Sequence, residues 1–350
     1  MSKTITIGKR RIGGGRPCFI AAEIGINHNG DMRLARRMID AAAAAGADAV
    51  KFQNYRTEDF ILDRSLAYEY KSQGRRIKEP QFEMFKRCEL LASQLHLLCA
   101  HCRKKRIVFF ATPTSEDGVA ELVRLGAPLL KNGSDYLLHL PLIRAMGKTG
   151  LPTVLSTGMA TLAEIKKAVR AFRKAGGKKL ILLHCTSSYP TPAADVHLRK
   201  IPALASRFGC PAGLSDHTDG IIAAIGAVTL GACFIEKHFT LDKNLPGPDH
   251  HFSSDPAEFK KMVQAVRFTE QALGTAVIGP TVSEMAGRKN FRLSCVAAEH
   301  LPANHVLTRK DVAFCRPATG LPPAEIDRLV GRKLRRPVKA GKVLRREMIE

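Results

Sequence analysis

With 350 residues, 45% of them apolar, the chain is too long for one small domain and suits a large core plus a smaller unit. It contains no run of eighteen apolar residues, which excludes a membrane-spanning helix, and Met1 to Thr6 lack the long apolar stretch of a secretory signal, so a cytoplasmic chain with no membrane partner is expected. Lysine and arginine number 55 against 32 acidic residues, a net charge of +23 that attracts anions; with no nucleic-acid-binding motif beside it, the charge points to a phosphate-bearing small molecule rather than to nucleic acid.

From Cys18 onward, short apolar runs alternate with helical patterns. The first strand is expected over 18–23, with a helix over 31–45 stopped by Gly46. A second strand follows at 48–53, then a loop over 59–80 and one long helix over 81–105. Cys99 and Cys102 share a face of that helix. A lone pair of this kind reads as packing rather than zinc, and the odd total of nine cysteines reads as free thiols. Strands are then expected at 107–111, 128–131, 153–156, 180–184, 211–214 and 233–236. Helices follow them at 115–125, 137–149, 162–175, 198–208, 220–230 and 256–273. Eight strand–helix units with strands apolar on both faces predict a parallel sheet closed into a (β/α)8 barrel over residues 1–278. After a linker at 279–289, Gly and Pro punctuate short β-like stretches, so 290–350 reads as a small, mostly β domain.

Polar residues recur where the strands end: Glu23, Lys51 with Gln53, Thr112, Lys131 with Ser134, Ser156 with Thr157, His184, Ser215-Asp216-His217 and Glu236-Lys237-His238. In a barrel these ends converge on one face. Lys51 and Lys131 would suit a phosphate and a carboxylate, with hydroxyls from Thr112, Ser134 and Ser215 and a close backbone approach at Gly133. His217 and His238 end neighbouring strands, about 4.8 Å apart in such a sheet. They suit an exchangeable divalent ion, a general base or a structural role, and the residues alone leave the three open.

Longer motifs carry a resemblance. Ala22-Glu23-Ile24-Gly25-Ile26-Asn27-His28-Asn29-Gly30-Asp31, Gly46 to Gln53, His184-Cys185-Thr186-Ser187-Ser188-Tyr189-Pro190, Gly213 to Thr218, Ile235 to Asp242 and Pro246 to Ser253 resemble the sialic acid synthase family in order and over nearly the whole chain. The C-terminal part resembles that family's small antifreeze-like (SAF) domain. The resemblance implies a (β/α)8 barrel joined to the small domain, in a domain-swapped homodimer where each small domain covers the partner's barrel. It implies a transferase that joins phosphoenolpyruvate to an N-acetylated six-carbon aldose, giving a nine-carbon 2-keto acid of the N-acetylneuraminate type. Legionaminate or pseudaminate synthesis from a di-N-acetylated sugar, or an inactive carbohydrate-binding protein on the same scaffold, are the alternatives.

By the same resemblance, phosphoenolpyruvate would be held by Lys51, Thr112, Lys131, Ser134, Ser156, Ser187 and Ser215. A divalent ion, Mn2+ with Mg2+ or Co2+ as substitutes, would sit on His217 and His238. The sugar would meet Glu23, Tyr189 and Asp249, plus Arg316 of the neighbouring copy. Glu23, Lys51, Lys131, His217 and His238 are the expected catalytic set. Two departures stand out: Ser134-Asp135-Tyr136 where the family usually has Ser-Gly-acid, and Ser187 where it commonly has asparagine. The loop over 59–80, with Tyr68, Tyr70, Lys71, Arg75 and Arg76, is the expected sugar-reading segment.

Overall fold

The computed structural model describes residues 4–350; Met1 to Lys3, part of the N-terminal stretch considered above, lie outside the described residues. The chain divides into two compact units, Met1–Gly274 and Thr275–Glu350. Among the described residues, no helix is long and apolar enough to cross a membrane.

Eight strands build the first unit: β1 (Phe19–Gly25), β2 (Ala49–Asn54), β3 (Val108–Pro113), β4 (Leu130–Asn132), β5 (Thr153–Ser156), β6 (Leu180–Cys185), β7 (Ala212–Asp216) and β8 (Phe234–His238). They form one sheet in the spatial order β3-β2-β1-β8-β7-β6-β5-β4, every hydrogen-bonded pair parallel. The end strands β3 and β4 pack against each other, so the sheet closes into the expected barrel. A helix follows each strand, from Met32–Ala44 after β1 to Pro256–Ala272 after β8.

The first of these helices shows why the sequence folds this way. Asp31 caps it by accepting from the backbone N–H of Arg33 at 2.7 Å. Ala35, Met38, Ile39 and Ala42 recur at helical spacing and are buried. Burying Met38 or Ile39 fully contributes on the order of 1.5–3 kcal/mol each. Gly46, at φ +90°, ends the turn and feeds β2.

Two apolar layers follow from the strands' period of two. Ile20, Val50, Phe52, Leu130, Leu155, Leu182, Leu214 and Ile235 point out against the helices. Phe19, Ala21, Ala49, Phe110, Leu129, Val154, Leu183 and Phe234 point into the barrel. The sequence reading missed a hairpin, Ile5–Ile7 paired with Arg10–Ile12, whose Ile7 and Ile12 join that interior and plug the barrel's N-terminal end.

The single helix expected over 81–105 is two, Gln81–Cys88 and Ala92–Lys105. Glu89 adopts an extended backbone, and its carboxylate accepts from Thr57 N–H at 3.0 Å and Thr57 Oγ1 at 2.9 Å. That tie to a residue thirty-two positions away breaks the helix, and helical periodicity cannot reveal it. The loop over 59–80 contains a second hairpin, Ala67–Ser72 with Arg75–Pro80.

In the second unit, a helix at Met285–Phe291 precedes antiparallel strands Ser294–Ala297 and Val312–Cys315. Isolated bridges such as Leu301 with Val338 surround a core of Cys295, Leu301, Leu307, Val312, Leu334 and Leu344.

Candidate functional site

The inward positions change character at the C-terminal end of the barrel. Two residues beyond inward Ala21, Ala49, Phe110, Leu129, Val154, Leu183 and Phe234 stand Glu23, Lys51, Thr112, Lys131, Ser156, Cys185 and Glu236. A polar layer thus lies directly on an apolar one. Glu23, Lys51, Thr112, Lys131, Ser134, Ser156, Ser187, Tyr189, Ser215, His217, His238 and Asp249 all line one cavity of about 420 Å³.

Buried ion pairs form its floor. Lys51 Nζ lies 2.8 Å from Glu236 Oε1 and 3.4 Å from Glu23 Oε2. Lys131 Nζ donates to Ser156 Oγ at 2.7 Å and to Asn132 O at 3.1 Å, and lies 3.6 Å from Glu236 Oε1. Ser215 Oγ donates to that same Oε1 at 3.1 Å. Burial alone would raise both carboxyls. It does raise Glu23, against the pull of Lys51. For Glu236 the pull of Lys131 and Lys51 overcomes burial and holds the group low. Burial lowers Lys131, whereas Glu23 and Glu236 outweigh burial and raise Lys51. Thr112 Oγ1 and Ser187 Oγ are buried with no hydrogen-bond partner, so donors stand ready for a ligand.

Backbone geometry lets this floor assemble. Ser134 Oγ accepts from Gly158 N–H at 3.0 Å. A side chain at Gly158 would start 2.7 Å from that oxygen and press on Ser187, so only glycine fits. A Cβ at Gly133 would collide with the Asp135 carboxylate. Asp135 and Tyr136 both line the cavity, so the displaced acid of the sequence motif still reaches it.

The two histidines lie side by side, ring centroids 5.4 Å apart. His217 Nδ1 is 2.9 Å from Thr186 O. That carbonyl can only accept, so Nδ1 carries a proton and Nε2 is the nitrogen left for a ligand. Burial works against a charge on this ring, but the neighbouring Cys185 and the Thr186 carbonyl outweigh it and raise His217 above the usual imidazole value. His238 Nδ1 is buried without a hydrogen-bond partner, 3.8 Å from Asp249 Oδ2. Burial, then the nearby His217 and Lys51, holds His238 well below the usual imidazole range and keeps it neutral. Two neighbouring imidazoles, one with an orphaned nitrogen, fit a metal ion. Among the described residues no group of three or more His, Cys, Asp or Glu is placed to hold one, so such an ion would keep open positions. The Tyr189 ring packs 4.3 Å from His217, and Phe252 packs 5.0 Å from His238.

Several residues went unassigned in the sequence reading. Glu236 is the hub of the floor, and inward Cys185 lies 3.5 Å from Ser134 Oγ. Ile26, Tyr55, Met84 and Phe85 form an apolar wall, with the Tyr55 hydroxyl spent on Phe85 O at 2.9 Å. Strict alternation along β6 and β8 signals Cys185 and Glu236; nothing local signals the wall.

The same alternation corrects the expectation that every strand-end polar group converges on the site. His184, Thr157, Asp216 and Lys237 do not line the cavity. Their positions alternate with the inward ones. His184 Nε2 bonds Val196 O, and Thr157 Oγ1 donates to Leu183 O. Lys237 and Asp216 form a buried pair at 2.9 Å.

The hairpin over 67–80 stands beside the site. Tyr68 lines the main cavity, while Tyr70, Lys71 and Arg76 line an adjoining one of about 890 Å³ with Tyr189 and Lys243. Arg75 lines neither. Arg316 is exposed in the second unit, its guanidinium 5.4 Å from the Phe291 ring. The turn after it is fixed by Ser294 Oγ, which accepts from Thr319 N–H at 2.9 Å and Gly320 N–H at 3.0 Å.

Known proteins resemble this chain in sequence and fold. Residues 38–278 match the NeuB family and residues 294–350 the SAF domain. The chain is 38% identical to the N,N'-diacetyllegionaminic acid synthase of Legionella pneumophila, across 97% of this chain and 99% of that one. It is 34% identical to human N-acetylneuraminate-9-phosphate synthase, across 97% and 95% respectively. The crystal structure of the N-acetylneuraminic acid (sialic acid) synthetase of Leptospira borgpetersenii, in complex with citrate, superposes with a TM-score of 0.74 at 38% identity, covering 82% of this chain and 95% of that one. With the family match spanning well over half its length and these relatives aligned almost end to end, this chain belongs to the NeuB family, as a (β/α)8 barrel followed by a SAF domain.

Proposed function

We propose that the protein is a transferase that condenses phosphoenolpyruvate with an N-acetylated six-carbon aldose of the N-acetylmannosamine type, releasing phosphate and a nine-carbon 2-keto acid of the N-acetylneuraminate type. One observation carries the reading: two buried lysines and unpartnered hydroxyls share a cavity with two neighbouring histidines. Lys51 and Lys131, with Thr112, Ser134, Ser156, Ser187 and Ser215, hold the phosphate and carboxylate. Glu23, Tyr189 and Asp249 orient the sugar. His217 and His238 would hold a divalent ion, Mn2+ or in its place Mg2+ or Co2+, which supplies Lewis acidity beside the aldehyde.

The chemistry balances on the chain's own groups. C3 of the enol forms a bond to the aldehyde carbon, whose oxygen takes a proton. Burial raises the Glu23 carboxyl, which suits it to deliver that proton. Water adds at C2, one of its protons restoring the Glu23 carboxyl and the other leaving with the phosphate as the C–O bond breaks to give the ketone. The lysine ammoniums stabilise the charge on the departing phosphate.

A second reading rests on the Legionella relative, 38% identical almost end to end: the same condensation with a di-N-acetylated sugar. The wall of Ile26, Tyr55, Met84 and Phe85 offers ring faces and methyl groups to such a substrate. Phosphate release from phosphoenolpyruvate with Mn2+, across N-acetylmannosamine, its 6-phosphate and di-N-acetylated hexoses, decides between the two. Sugar binding without phosphate release from any pair would leave only an inactive carbohydrate-binding protein.

The proposal extends to a homodimer in which Arg316 serves a second copy's sugar. Arg316→Ala should raise the KM for sugar far more than that for phosphoenolpyruvate. Mixing it with Lys131→Met subunits should restore activity; a mixture as inactive as its parents, with subunit exchange confirmed, would sink this part.

A further inference from the structure

Glu236 has no part in the roles assigned above, yet it touches both lysines of the floor and Ser215. Its Oε1 takes the Lys51 ammonium at 2.8 Å and the Ser215 hydroxyl at 3.1 Å, and stands 3.6 Å from Lys131 Nζ. Among the described residues Glu236 is the one carboxylate paired with Lys131, and Lys51 has only Glu23 besides. A single carboxylate oxygen therefore occupies the space between two ammoniums. An oxygen of an incoming phosphate would be drawn to that same space. Its other oxygen, Oε2, is buried without a hydrogen-bond partner.

A purely structural ion pair looks different in this molecule. Asp216 gives Oδ2 to Lys237 at 2.9 Å and Oδ1 to the N–H and hydroxyl of Thr218 at 2.9 and 2.8 Å. Both of its oxygens are used. Glu236 is a tethered anion on a cation pair, with half of its capacity idle. With Glu23 holding its proton, Glu236 cancels one of the two ammonium charges before any ligand arrives, which weakens the cluster's attraction for a free anion.

We propose that Glu236 is a built-in counter-anion of the phosphate-binding lysines, holding both ammoniums on one oxygen and limiting how tightly the site retains a phosphate group. This rests on the reading that Lys51 and Lys131 bind the phosphate of phosphoenolpyruvate. The consequence falls on turnover, because the reaction leaves inorganic phosphate in the site. Lysines without their counter-anion would bind substrate and product more tightly alike, and tight product binding slows the cycle. A unit charge a few ångströms from the ligand, in a site shielded from water, is worth at least a factor of ten in affinity.

Calorimetric titration of the full-length protein with inorganic phosphate tests this. Glu236→Gln should bind phosphate at least tenfold more tightly than the native chain, and Lys131→Met more weakly. Glu236→Asp, which draws the carboxylate back by one methylene, should fall between native and Gln. In steady state Glu236→Gln should lower the KM for phosphoenolpyruvate and kcat together, with stronger inhibition by added phosphate. A role confined to holding the lysines in place predicts the reverse, a raised KM. Phosphate affinity that is unchanged or weaker in Glu236→Gln, or no binding by either protein, overturns the proposal. Should Glu236→Gln fail to fold by circular dichroism, Glu236→Asp decides by the same criterion. Absence of phosphate release by the native chain with every sugar would sink the synthase reading instead, and the titrations would still decide on Glu236.

Discussion

Strand β8 carries Glu236, Lys237 and His238 in succession, and the two faces it separates put similar charges to opposite use. Outward, Lys237 and Asp216 close a pair in which every carboxylate oxygen and the ammonium find partners. Inward, Lys51, Lys131, Glu23 and Glu236 share too few partners, and hydroxyls and an imidazole nitrogen beside them have none. Burial does not separate the faces, since Lys131 and Lys237 are each 1% exposed. Satisfaction does. A closed buried pair locks strands together, whereas an open one stores unmet hydrogen-bonding capacity that a ligand can fill.

The largest expected effect breaks the inner face at its histidines. Removing divalent metal with EDTA should abolish turnover, and Mn2+ should restore it. His217→Ala should lose bound metal and activity together while circular dichroism stays native. Full activity in a preparation shown by elemental analysis to be metal-free would remove the ion from the scheme. Next comes Lys131→Met, which takes away a charge aimed at a polyanion in an enclosed site. It should cost about 10²–10³ in kcat/KM for phosphoenolpyruvate, with the fold retained. Unchanged kinetics there and in Lys51→Met would place the anion elsewhere.

The outer pair should answer in the other currency. Lys237→Met strands the Asp216 carboxylate in the protein interior, which costs about 3–5 kcal/mol of stability. Denaturant unfolding should show that loss, while kcat/KM per folded molecule stays near native. If Lys237→Met instead lost activity with its stability intact, the two faces would not differ as described.

Much of this was legible from residues alone, for a definite reason. Lys51, Lys131, His217 and His238 interrupt apolar runs where strands end, and barrel closure gathers strand ends onto one face. What failed was facing. Listing His184, Asp216 and Lys237 with the site ignored the period of two, which places them one step out of phase with Cys185, Ser215 and Glu236. The break at Glu89 depends on Thr57, and the wall of Ile26, Tyr55 and Met84 is assembled from separate loops. Neither leaves a periodic trace. The N-terminal hairpin is too short for one, with three residues in each strand.

The smallest effect is the sharpest test of unmet capacity, because it reverses the usual sign. Thr112 and Ser156 both bring hydroxyls to the cavity, but Ser156 Oγ accepts from Lys131 at 2.7 Å while Thr112 Oγ1 has no partner. Deleting a satisfied buried hydroxyl removes a charge-assisted hydrogen bond, so Ser156→Ala should destabilise the ligand-free protein by about 1.5–3 kcal/mol. Thr112→Val keeps the shape and discards a polar group that pays its desolvation without return. Replacement of this kind is neutral to stabilising, here by up to about 1 kcal/mol, or about 1–2 °C in melting temperature. The same substitution should raise the KM for phosphoenolpyruvate, since the ligand loses a waiting donor. Stability and binding would then move in opposite directions at Thr112 and together at Ser156. Were Thr112→Val to melt well below the native chain, its hydroxyl would have a partner in the resting protein, and the inner face would be as closed as the outer one.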